Sequence, residues 1–447
     1  MEEQHHGATY DIVIFGASGF TGKYVVREAL KFLNVPSSPL KSLALVGRSP
    51  SKVAKSLQWA SHPNPPPQIP ILSADTTDPI SLRRVASQAK IILNCVGPFH
   101  LYGEPVVAAC VDVGCDYLDI TGEMEFVERM EGTYHDRAVK KGSLIICGCG
   151  YDSVPAVLGM MFNSRQWVSP AAPNRVEAYL SMESDKRVVL NLGSYETLVL
   201  AMANKDKSQE LRQYSWSASQ GIHCGTPKRD WALGRGVVFP SSLDKVAVER
   251  MVSCLTENPE GIPGVNETAH QIKKREAFWS TVKPVHFGMN MASKSVLGVL
   301  RFITLALLLW VFGRFSTGRW LLTKFPAAFS LGLFRKNGPT EEEVASASFK
   351  LWFVGRGYSD AALASKEGKK PDMEIITRVT GPEIGYSATP IILIQCALVL
   401  LSQRHELPKG GVFLPGIIFG PTDLQQRLQQ NGISFEFISK KKLSNKI

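Results

Sequence analysis

Short apolar runs alternate with amphipathic stretches through the first third of the chain. The apolar runs are residues 10–15, 42–46, 69–74, 91–96, 116–120 and 144–147. Their length and their content of β-branched residues are typical of buried strands. Apolar residues at helical spacing mark intervening stretches at 23–33, 81–88, 105–113 and 126–141. This order predicts a doubly wound parallel sheet with helices on both faces and a ligand at the carboxyl ends of the strands.

The regular alternation stops near Pro155. Beyond it, residues 174–385 combine a few strand candidates with long polar and apolar stretches, and residues 388–401 form an apolar helix candidate. The strand candidates are residues 175–182, 348–354 and 373–380. We therefore predict an α/β protein with a Rossmann-type parallel sheet in residues 1–155 and a second, α+β domain in residues 156–385.

The composition excludes several classes of protein. Of the 447 residues, 44% are apolar and 20% are charged, and the mean hydropathy is −0.02. These values exclude a disordered chain, a fibrous repeat and a polytopic membrane protein. Eight cysteines are too few for a disulfide scaffold and complete no zinc set, so we expect no metal site. The amino-terminal residues lack an apolar signal core, so we expect no cleavable targeting peptide.

Three glycines follow the first strand at intervals of three residues, in the sequence GASGFTG. Gly16 permits a tight turn, Gly19 lets the backbone approach a pyrophosphate, and Gly22 lets the next helix pack closely on the sheet. A glycine turn without a ligand is the alternative, but the strand–turn–helix context favours a dinucleotide site. The residues assigned to this site are Gly16, Ser18, Gly19, Phe20, Thr21 and Gly22.

The end of the second strand distinguishes NADP from NAD. NAD sites place Asp or Glu there, whereas this strand ends Gly47-Arg48-Ser49. Arg48 can pair with a 2′-phosphate and Ser49 can donate a hydrogen bond, so the sequence predicts NADP; a solvated surface arginine is the alternative. Asp75, after the third strand, is placed either to meet the adenine edge or to cap the next helix.

Three loops leave the carboxyl edge of the predicted sheet on the nicotinamide side. Gly97 and Pro98 shape the loop after the fourth strand. The loops after the fifth and sixth strands carry the titratable candidates for catalysis, which are Asp119, Glu123, Tyr151 and Asp152. Each of the four could equally be a cap or hinge residue. His100 and His135 lie near the same edge, but a lone histidine is more often structural.

Several motifs resemble the saccharopine dehydrogenase-like oxidoreductases. They are GASGFTG, NCVGPFHLYGEPVVAACVDVGCDYLDITGE, GYDSVP, GPEIGYSATP and KGGVFLPGIIFG, which together span most of the chain. The resemblance implies an N-terminal Rossmann domain, an inserted substrate domain with its own sheet, and a C-terminal segment, residues 386–447, that returns to the first domain. It also implies hydride transfer between a pyridine nucleotide and a carbonyl, imine or enoyl group.

One motif separates the chain from the saccharopine reductases of lysine metabolism. GYDSVP stands where those enzymes carry a Gly-Leu-Asp-Pro-Gly turn, and arginines that would clamp substrate carboxylates are not identifiable. The resemblance is therefore to the "-like" branch, with a true saccharopine dehydrogenase as the alternative. Related bacterial members are associated with reduction of enoyl or keto groups in lipid precursors, which implies a small-molecule substrate with a hydrophobic acyl part.

A basic, apolar segment accounts for most of the net charge of +10. No acidic residue occurs between Glu276 and Glu341, whereas eight Lys and Arg residues do. Residues 302–313 are uncharged, which is well short of the roughly 20 residues that span a bilayer. We expect residues 290–336 to attach the protein to a cytosol-facing membrane, a lipid droplet or the mitochondrial membrane. A buried helix pair or a homodimer interface is the alternative.

Two functions from different classes remain open. The first is an NADP-dependent oxidoreductase that acts at a lipid surface, which the titratable residues near the cleft favour. The second is a catalytically silent NADP-binding scaffold that recruits partners to a membrane. Nucleic acid is not expected as a partner, because basic and aromatic residues do not interleave as they do in nucleic-acid readers.

Overall fold

Six strands in the first third of the chain form the predicted parallel sheet in this computed structural model. The structure describes residues 9–203, 237–240, 243–293, 296–364, 366 and 369–443. The strands are β1 (Tyr10–Phe15), β2 (Leu43–Gly47), β3 (Ile71–Ser73), β4 (Ala89–Asn94), β5 (Asp116–Asp119) and β6 (Leu144–Ile146). The central residues of every strand except β3, which lies at the edge of the sheet, are fully buried because helices cover both faces.

The helices of this region follow the strands in alternation. They are α1 (Phe20–Leu30), α2 (Pro50–Ser61), α3 (Pro79–Ala86), α4 (Phe99–Val113), α5 (Met124–Lys141) and α6 (Val154–Ser164). Sequence analysis did not predict α2, whose residues lead into a proline-rich loop. Its signal was nevertheless present: Pro50 stands in its first turn, and Val53, Leu57 and Ala60 recur at helical spacing on its buried face.

A second, mixed sheet forms the core of the following domain. Its region contains β7 (Ala172–Ser184), β8 (Leu190–Asn191), β9 (Val237–Pro240), β10 (His286–Ser293), β11 (Phe334–Arg335), β12 (Ala347–Tyr358) and β13 (Met373–Pro382). β7 pairs in parallel with β10 and antiparallel with β12, which continues to β13. β8 and β11 form a separate parallel pair.

Helices of the second domain lie mainly between these strands in sequence. They are α7 (Leu192–Ala203), α8 (Leu243–Glu257), α9 (Ala269–Ser280), α10 (Val296–Phe312), α11 (Ser316–Lys324), α12 (Pro326–Phe329) and α13 (Glu341–Ser346). We call residues 296–331, which contain α10, α11 and α12, the apolar-basic layer. Tyr195 and Val199 of α7 form a small core with Leu305 and Leu309 of this layer.

The C-terminal segment contributes to both sheets. It contains α14 (Thr389–Gln403), β14 (Gly411–Phe413), α15 (Pro415–Phe419), α16 (Leu424–Gln430) and β15 (Ser434–Lys442). β14 extends the first sheet to the order β14-β6-β5-β4-β1-β2-β3, whereas β15 pairs with β13 in the second sheet. The expected return of residues 386–447 to the first domain therefore does not extend to β15.

Candidate functional site

The turn between β1 and α1 has the geometry that its glycines predict. Gly16 adopts a φ of +84°, and a Cβ atom there would lie 2.7 Å from the Val96 side chain. The Gly19 N–H donates to the Gly16 carbonyl across 2.9 Å. A Cβ atom on Gly22 would lie 2.1 Å from that same carbonyl oxygen. Side chains at Gly16 or Gly22 would therefore disrupt the packing of this turn.

The amino terminus of α1 is open to an anion. Gly19, the N-cap residue, offers no side-chain hydrogen bond, and the first turn has no acidic residue. The first amides of a helix lack intrahelical partners, so those of Phe20, Thr21 and Gly22 can donate to a phosphate. Ser18 lies beside the end of β2. The turn therefore fits a pyrophosphate.

The strand order places this turn at a reversal in the sheet. β1 pairs with β2 on one side and with β4 on the other, so successive strands diverge from β1. Ligands of such sheets bind outside the carboxyl ends of the strands at this point. Gly97 is exposed beyond the end of β4, and Pro98 is the N-cap residue of α4. Both lie where the sequence predicts the nicotinamide side of the cleft.

The end of β2 presents an exposed cation where the sequence predicts the adenosine end of the cofactor. Arg48 is exposed there, and the Ser49 hydroxyl lies 3.1 Å from the Ser51 hydroxyl. Asp75 accepts hydrogen bonds of 2.9 Å from both the amide and the hydroxyl of Thr77. The cap of α3 is Asp78, so the helix-capping alternative for Asp75 is wrong.

Asp119 lies beneath the cleft and is fully buried. Its carboxylate accepts from the amides of Thr121 and Gly148, at 3.0 and 2.8 Å, and from the hydroxyl of Tyr117 at 2.9 Å. Burial raises the pKa of Asp119 to about 6, because desolvation of the charge outweighs these hydrogen bonds. These bonds tie together the ends of β5 and β6, and the side chain does not reach solvent.

Glu123 connects three elements at the cleft. Its carboxylate accepts from the amides of Phe99 and His100, at 2.8 and 2.9 Å, and so caps the amino terminus of α4. It also lies 2.8 Å from His100 Nδ1, and the Thr197 hydroxyl of α7 approaches it at 3.4 Å. Burial opposes ionisation, but the hydrogen bonds from His100 and Phe99 prevail and lower the pKa of Glu123.

Tyr151 and Asp152 follow β6 and differ in accessibility. The Tyr151 ring is buried and meets the Phe349 ring edge-on at 4.8 Å, at the junction with the second sheet. Asp152 remains accessible, and a Cβ atom on Gly122 would lie 2.8 Å from its carboxylate. Surrounding protein atoms desolvate Asp152 and raise its pKa. The loop after β5, which carries Gly122 and Glu123, thus lies close to Asp152 in the loop after β6.

Sequence reasoning missed the partner of Glu123. His100 was set aside as a lone histidine, whereas the structure pairs it with a carboxylate 23 positions along the chain. The available signal was position alone: both residues follow carboxyl ends of adjacent parallel strands, β4 and β5. Thr197 was also missed, because α7 belongs to the second domain and reaches the cleft only in the folded chain.

α10 carries an exposed apolar face in the apolar-basic layer. Leu300, Ile303, Leu307, Trp310 and Val311 recur at the spacing of one helical face and are all at least 40% exposed. The apolar surface continues over Phe315, Trp320, Phe325 and Leu331. Half of the exposed large apolar side chains among the described residues lie in this layer. An exposed apolar patch of this kind marks an interaction surface.

Bases border this apolar face. The Arg314 guanidinium lies 4.0 Å from the centroid of the Trp310 ring, and Lys324 Nζ lies 4.3 Å from that of Trp320. Arg319 donates to the Gly313 carbonyl at 2.9 Å. None of these three cations pairs with an acidic side chain within the described ranges, so their charge is available to an anionic partner.

The fold and this site define a nicotinamide-nucleotide oxidoreductase with a Rossmann domain and a second domain over the cleft. Residues 12–146 match the family model described as the saccharopine dehydrogenase NADP binding domain. Near-full-length relatives show that the chain belongs to the saccharopine dehydrogenase-like oxidoreductases, which confirms the family predicted from the motifs. The expected fold and the assignment as an enzyme are confirmed as well.

Three relatives and one solved structure illustrate the similarity. A probable mitochondrial saccharopine dehydrogenase-like oxidoreductase of Arabidopsis thaliana is 59% identical over 96% of this chain and 97% of its own. A lipid droplet localized protein of Caenorhabditis elegans is 30% identical over 96% and 98%. A trans-acting enoyl reductase of Mycobacterium bovis is 32% identical over 46% and 47%. Saccharopine dehydrogenase of Saccharomyces cerevisiae shares the fold, with a TM-score of 0.53, 13% identity, and coverage of 97% and 100%.

Proposed function

We propose that this oxidoreductase uses NADPH to reduce a carbonyl, imine or enoyl group of a lipid-related substrate at a membrane or lipid-droplet surface. The observation that carries this proposal is the position of α7. Its Thr197 contacts Glu123 at the cleft, while its Tyr195 and Val199 pack on the apolar-basic layer. The helices α7 and α10 therefore lie between the cleft and the exposed face of α10, which are about two helix widths, on the order of 20 Å, apart. The names of the C. elegans and M. bovis relatives agree with a lipid connection.

The residues in and near the turn between β1 and α1 suit NADP. The backbone of residues 16–22 would hold the pyrophosphate, and Arg48 with Ser49 would hold the 2′-phosphate. Asp75 would meet the adenine edge, and Gly97 with Pro98 would border the nicotinamide. NADPH supplies a hydride when bound. No acidic residue occupies the end of β2, which favours NADP over NAD.

Asp152 is the catalytic candidate that the geometry favours among the four predicted residues. It is accessible, and its raised pKa keeps the carboxyl protonated to a higher pH than usual. A protonated carboxyl can donate a hydrogen bond to a substrate oxygen or nitrogen. Asp119 and Tyr151 are buried, and Glu123 caps α4, so these three support the loops around the cleft.

The apolar-basic layer would attach the enzyme to lipid as a peripheral protein. The exposed face of α10 would insert into the headgroup region, and bases such as Arg314 would meet anionic lipids. The opposite face of α10 packs on α7 through Leu305 and Leu309, so the helix belongs to the folded domain and does not cross the bilayer by itself. Attachment would combine an apolar and an electrostatic part.

Cofactor binding is tested by titrating NADPH into wild-type protein and two variants. Arg48→Asp should weaken binding about 10–100-fold through loss of a charged hydrogen bond. Gly19→Val should abolish binding because its side chain would occupy the pyrophosphate position. Lys140→Asp, an equal charge change at an exposed position on α5, is the matched control. Unchanged affinity in Arg48→Asp would contradict the role given to Arg48.

Substrate class and attachment are tested in a second pair of measurements. NADPH oxidation is followed with decanal, trans-2-decenal and 1-pyrroline as carbonyl, enoyl and imine acceptors, with and without vesicles. Flotation uses phosphatidylcholine vesicles with or without phosphatidylserine. We expect turnover of decanal or trans-2-decenal, the two acceptors with an alkyl chain, and flotation that increases with phosphatidylserine. If the protein binds NADPH but oxidises it with none of the acceptors, the scaffold function is favoured. If the protein never floats with vesicles, the attachment proposal is wrong.

A further inference from the structure

His100 and Glu123 form a pair at the carboxyl edge of the first sheet. His100 is the second residue of α4, and its Nδ1 lies 2.8 Å from a Glu123 carboxylate oxygen. The two side chains are 13% and 9% exposed, so the pair is largely shielded from water. Its position is adjacent to Pro98 and Gly97, on the side of the cleft proposed to border the nicotinamide.

Glu123 holds the imidazole ring in one orientation. The carboxylate is fixed by the amides of Phe99 and His100 and by the Thr197 hydroxyl, so it cannot follow a moving ring. An ionised carboxylate only accepts hydrogen bonds, which requires the proton on His100 Nδ1. His100 Nε2 has no hydrogen-bond partner among the residues that the structure describes. It is therefore the nitrogen available to a ligand.

We propose that His100 is a catalytic residue that supplies, through Nε2, the proton that accompanies hydride transfer, and that Glu123 is its positioning residue. The inference rests on the proposed function, since it needs a reaction in the cleft. The supporting observation is geometric: a shielded, carboxylate-anchored imidazole with one unpartnered nitrogen stands at the edge of the sheet where the ligand binds.

Reduction of a carbonyl acceptor would need one hydride and one proton. The donor would be the imidazolium form of His100, which carries a proton on each nitrogen. The carbonyl carbon would gain a hydride from NADPH, the π electron pair of the C=O group would move to the oxygen, and the oxygen would take the Nε2 proton, leaving a neutral imidazole with its proton on Nδ1. The substrate is reduced to an alcohol, NADPH is oxidised to NADP⁺, and the imidazole regains a proton from solvent. An imine nitrogen, or the α-carbon of an enoyl group, would take the proton in the same way.

Kinetics of two variants test the two roles. His100→Gln should lower kcat for decanal or trans-2-decenal about 100-fold while leaving the Kd for NADPH within about twofold. Glu123→Gln should lower kcat by a smaller factor than His100→Gln while leaving KM for decanal within about twofold, because the imidazole keeps Nε2 but loses the carboxylate that fixes its orientation. His62→Gln, at an exposed position after α2, is the matched control.

Arg129 and Asp152 are the other charged groups near this ring that bear on the kinetic test. Arg129 donates to the His100 carbonyl at 3.2 Å and is itself paired with Glu104 and Glu125. Asp152 stands beyond Gly122. Asp152→Asn therefore serves as a third kinetic variant, which separates the contribution of Asp152 from that of His100.

A chemical readout makes the test independent of turnover. Diethyl pyrocarbonate modifies accessible imidazole nitrogens, and peptide mass analysis reports each histidine separately. NADP⁺ should slow modification of His100 at least tenfold and leave exposed His62 unaffected. Equal modification with and without NADP⁺, or full kcat in His100→Gln, would overturn the proposal. If wild-type protein turns over no acceptor, the proposed function fails, and protection by NADP⁺ alone decides whether His100 lies at the cofactor.

Discussion

Two long apolar helices of this chain have opposite environments. In α14, every residue from Thr389 to Leu400 is buried. In α10, Leu305 and Leu309 are buried, but Leu300, Ile303 and Leu307 on the other face are more than half exposed. Both helices consist largely of Leu, Ile, Val and Ala. Apolar composition alone therefore does not determine whether a helix ends in the core or at a surface.

The difference comes from what covers each helix. α14 packs against α1 and α16 and across β4 and β5, so protein surrounds it on all sides. α10 packs on α7 and α11 with one face only. Among the described residues, the stretch Ile384–Glu406 is the one long and apolar enough to cross a membrane, and most of it is buried. The helix with the stronger membrane signal is thus a core helix, and the shorter one carries the exposed face.

The largest expected effect is a difference in stability between matched Leu→Glu substitutions in the two helices. Leu398→Glu in α14 places a charge at a position that is 1% exposed, whereas Leu307→Glu in α10 changes one that is 56% exposed. The first should cost more than about 4 kcal/mol and leave little soluble protein, because an unpaired charge is buried. The second should change the free energy of unfolding by less than about 1 kcal/mol. Urea unfolding measures both, and equal losses would contradict the comparison.

The next effect concerns lipid binding by the exposed face of α10. Leu307→Glu with Trp310→Glu should reduce vesicle affinity about 100-fold, since two large side chains no longer leave water. NADPH affinity should stay unchanged because the turn at β1 lies in the other domain. Leu309→Glu, on the buried face, is the control and should destabilise the fold instead. Vesicle binding that survives the double substitution would remove α10 from the attachment surface.

A third effect concerns a buried charge in the core that α14 helps to cover. Asp119 ionises near 3.8 in the unfolded chain and near about 6 in the folded protein. Between these values the folded state binds more protons at Asp119, so the contribution of Asp119 to the free energy of unfolding falls as pH rises from about 4 to about 6 and is level outside that window. Two pH units correspond to on the order of 3 kcal/mol.

Asp119→Asn should remove this dependence. Urea unfolding of wild type and variant at about pH 4 and about pH 7 measures it. Asp112→Asn, whose carboxylate pairs with Arg83 and Arg137 near the surface, is the control. Parallel pH dependence of wild type and Asp119→Asn would show that Asp119 does not titrate in this window.

The smallest effect concerns the solvated bases beside α10. Arg314→Ala should weaken binding to phosphatidylserine-containing vesicles about fivefold, corresponding to about 1 kcal/mol for one base near anionic headgroups. The loss should shrink as salt is added, because screening weakens the wild-type contact as well. Arg137→Ala, an exposed arginine of the Rossmann domain, is the control. A loss of equal size on neutral phosphatidylcholine vesicles would point to the Trp310 contact rather than charge.

The sequence predicted the first sheet well because each strand there is a short apolar run with a local turn signal. β1 has the predicted bounds, β5 and β6 begin as predicted and end one residue earlier, and the other three differ by one or two residues at each end. The pairing of His100 with Glu123 was not predictable from local pattern, since it depends on the alignment of β4 with β5. The exposed face of α10 was not predictable either, because its spacing becomes visible only when the packed face is known.

The position of α7 bears on which measure of substrate concentration governs the rate. One side of this helix meets Glu123 and the other packs on the layer proposed to enter lipid. Under the proposed attachment, the enzyme would draw its substrate from a two-dimensional phase, so the variable that governs the rate would be the mole fraction of substrate in the lipid. Adding inert phospholipid at constant total substrate would then slow turnover, while diluting the whole suspension with buffer would leave the rate per bound enzyme unchanged.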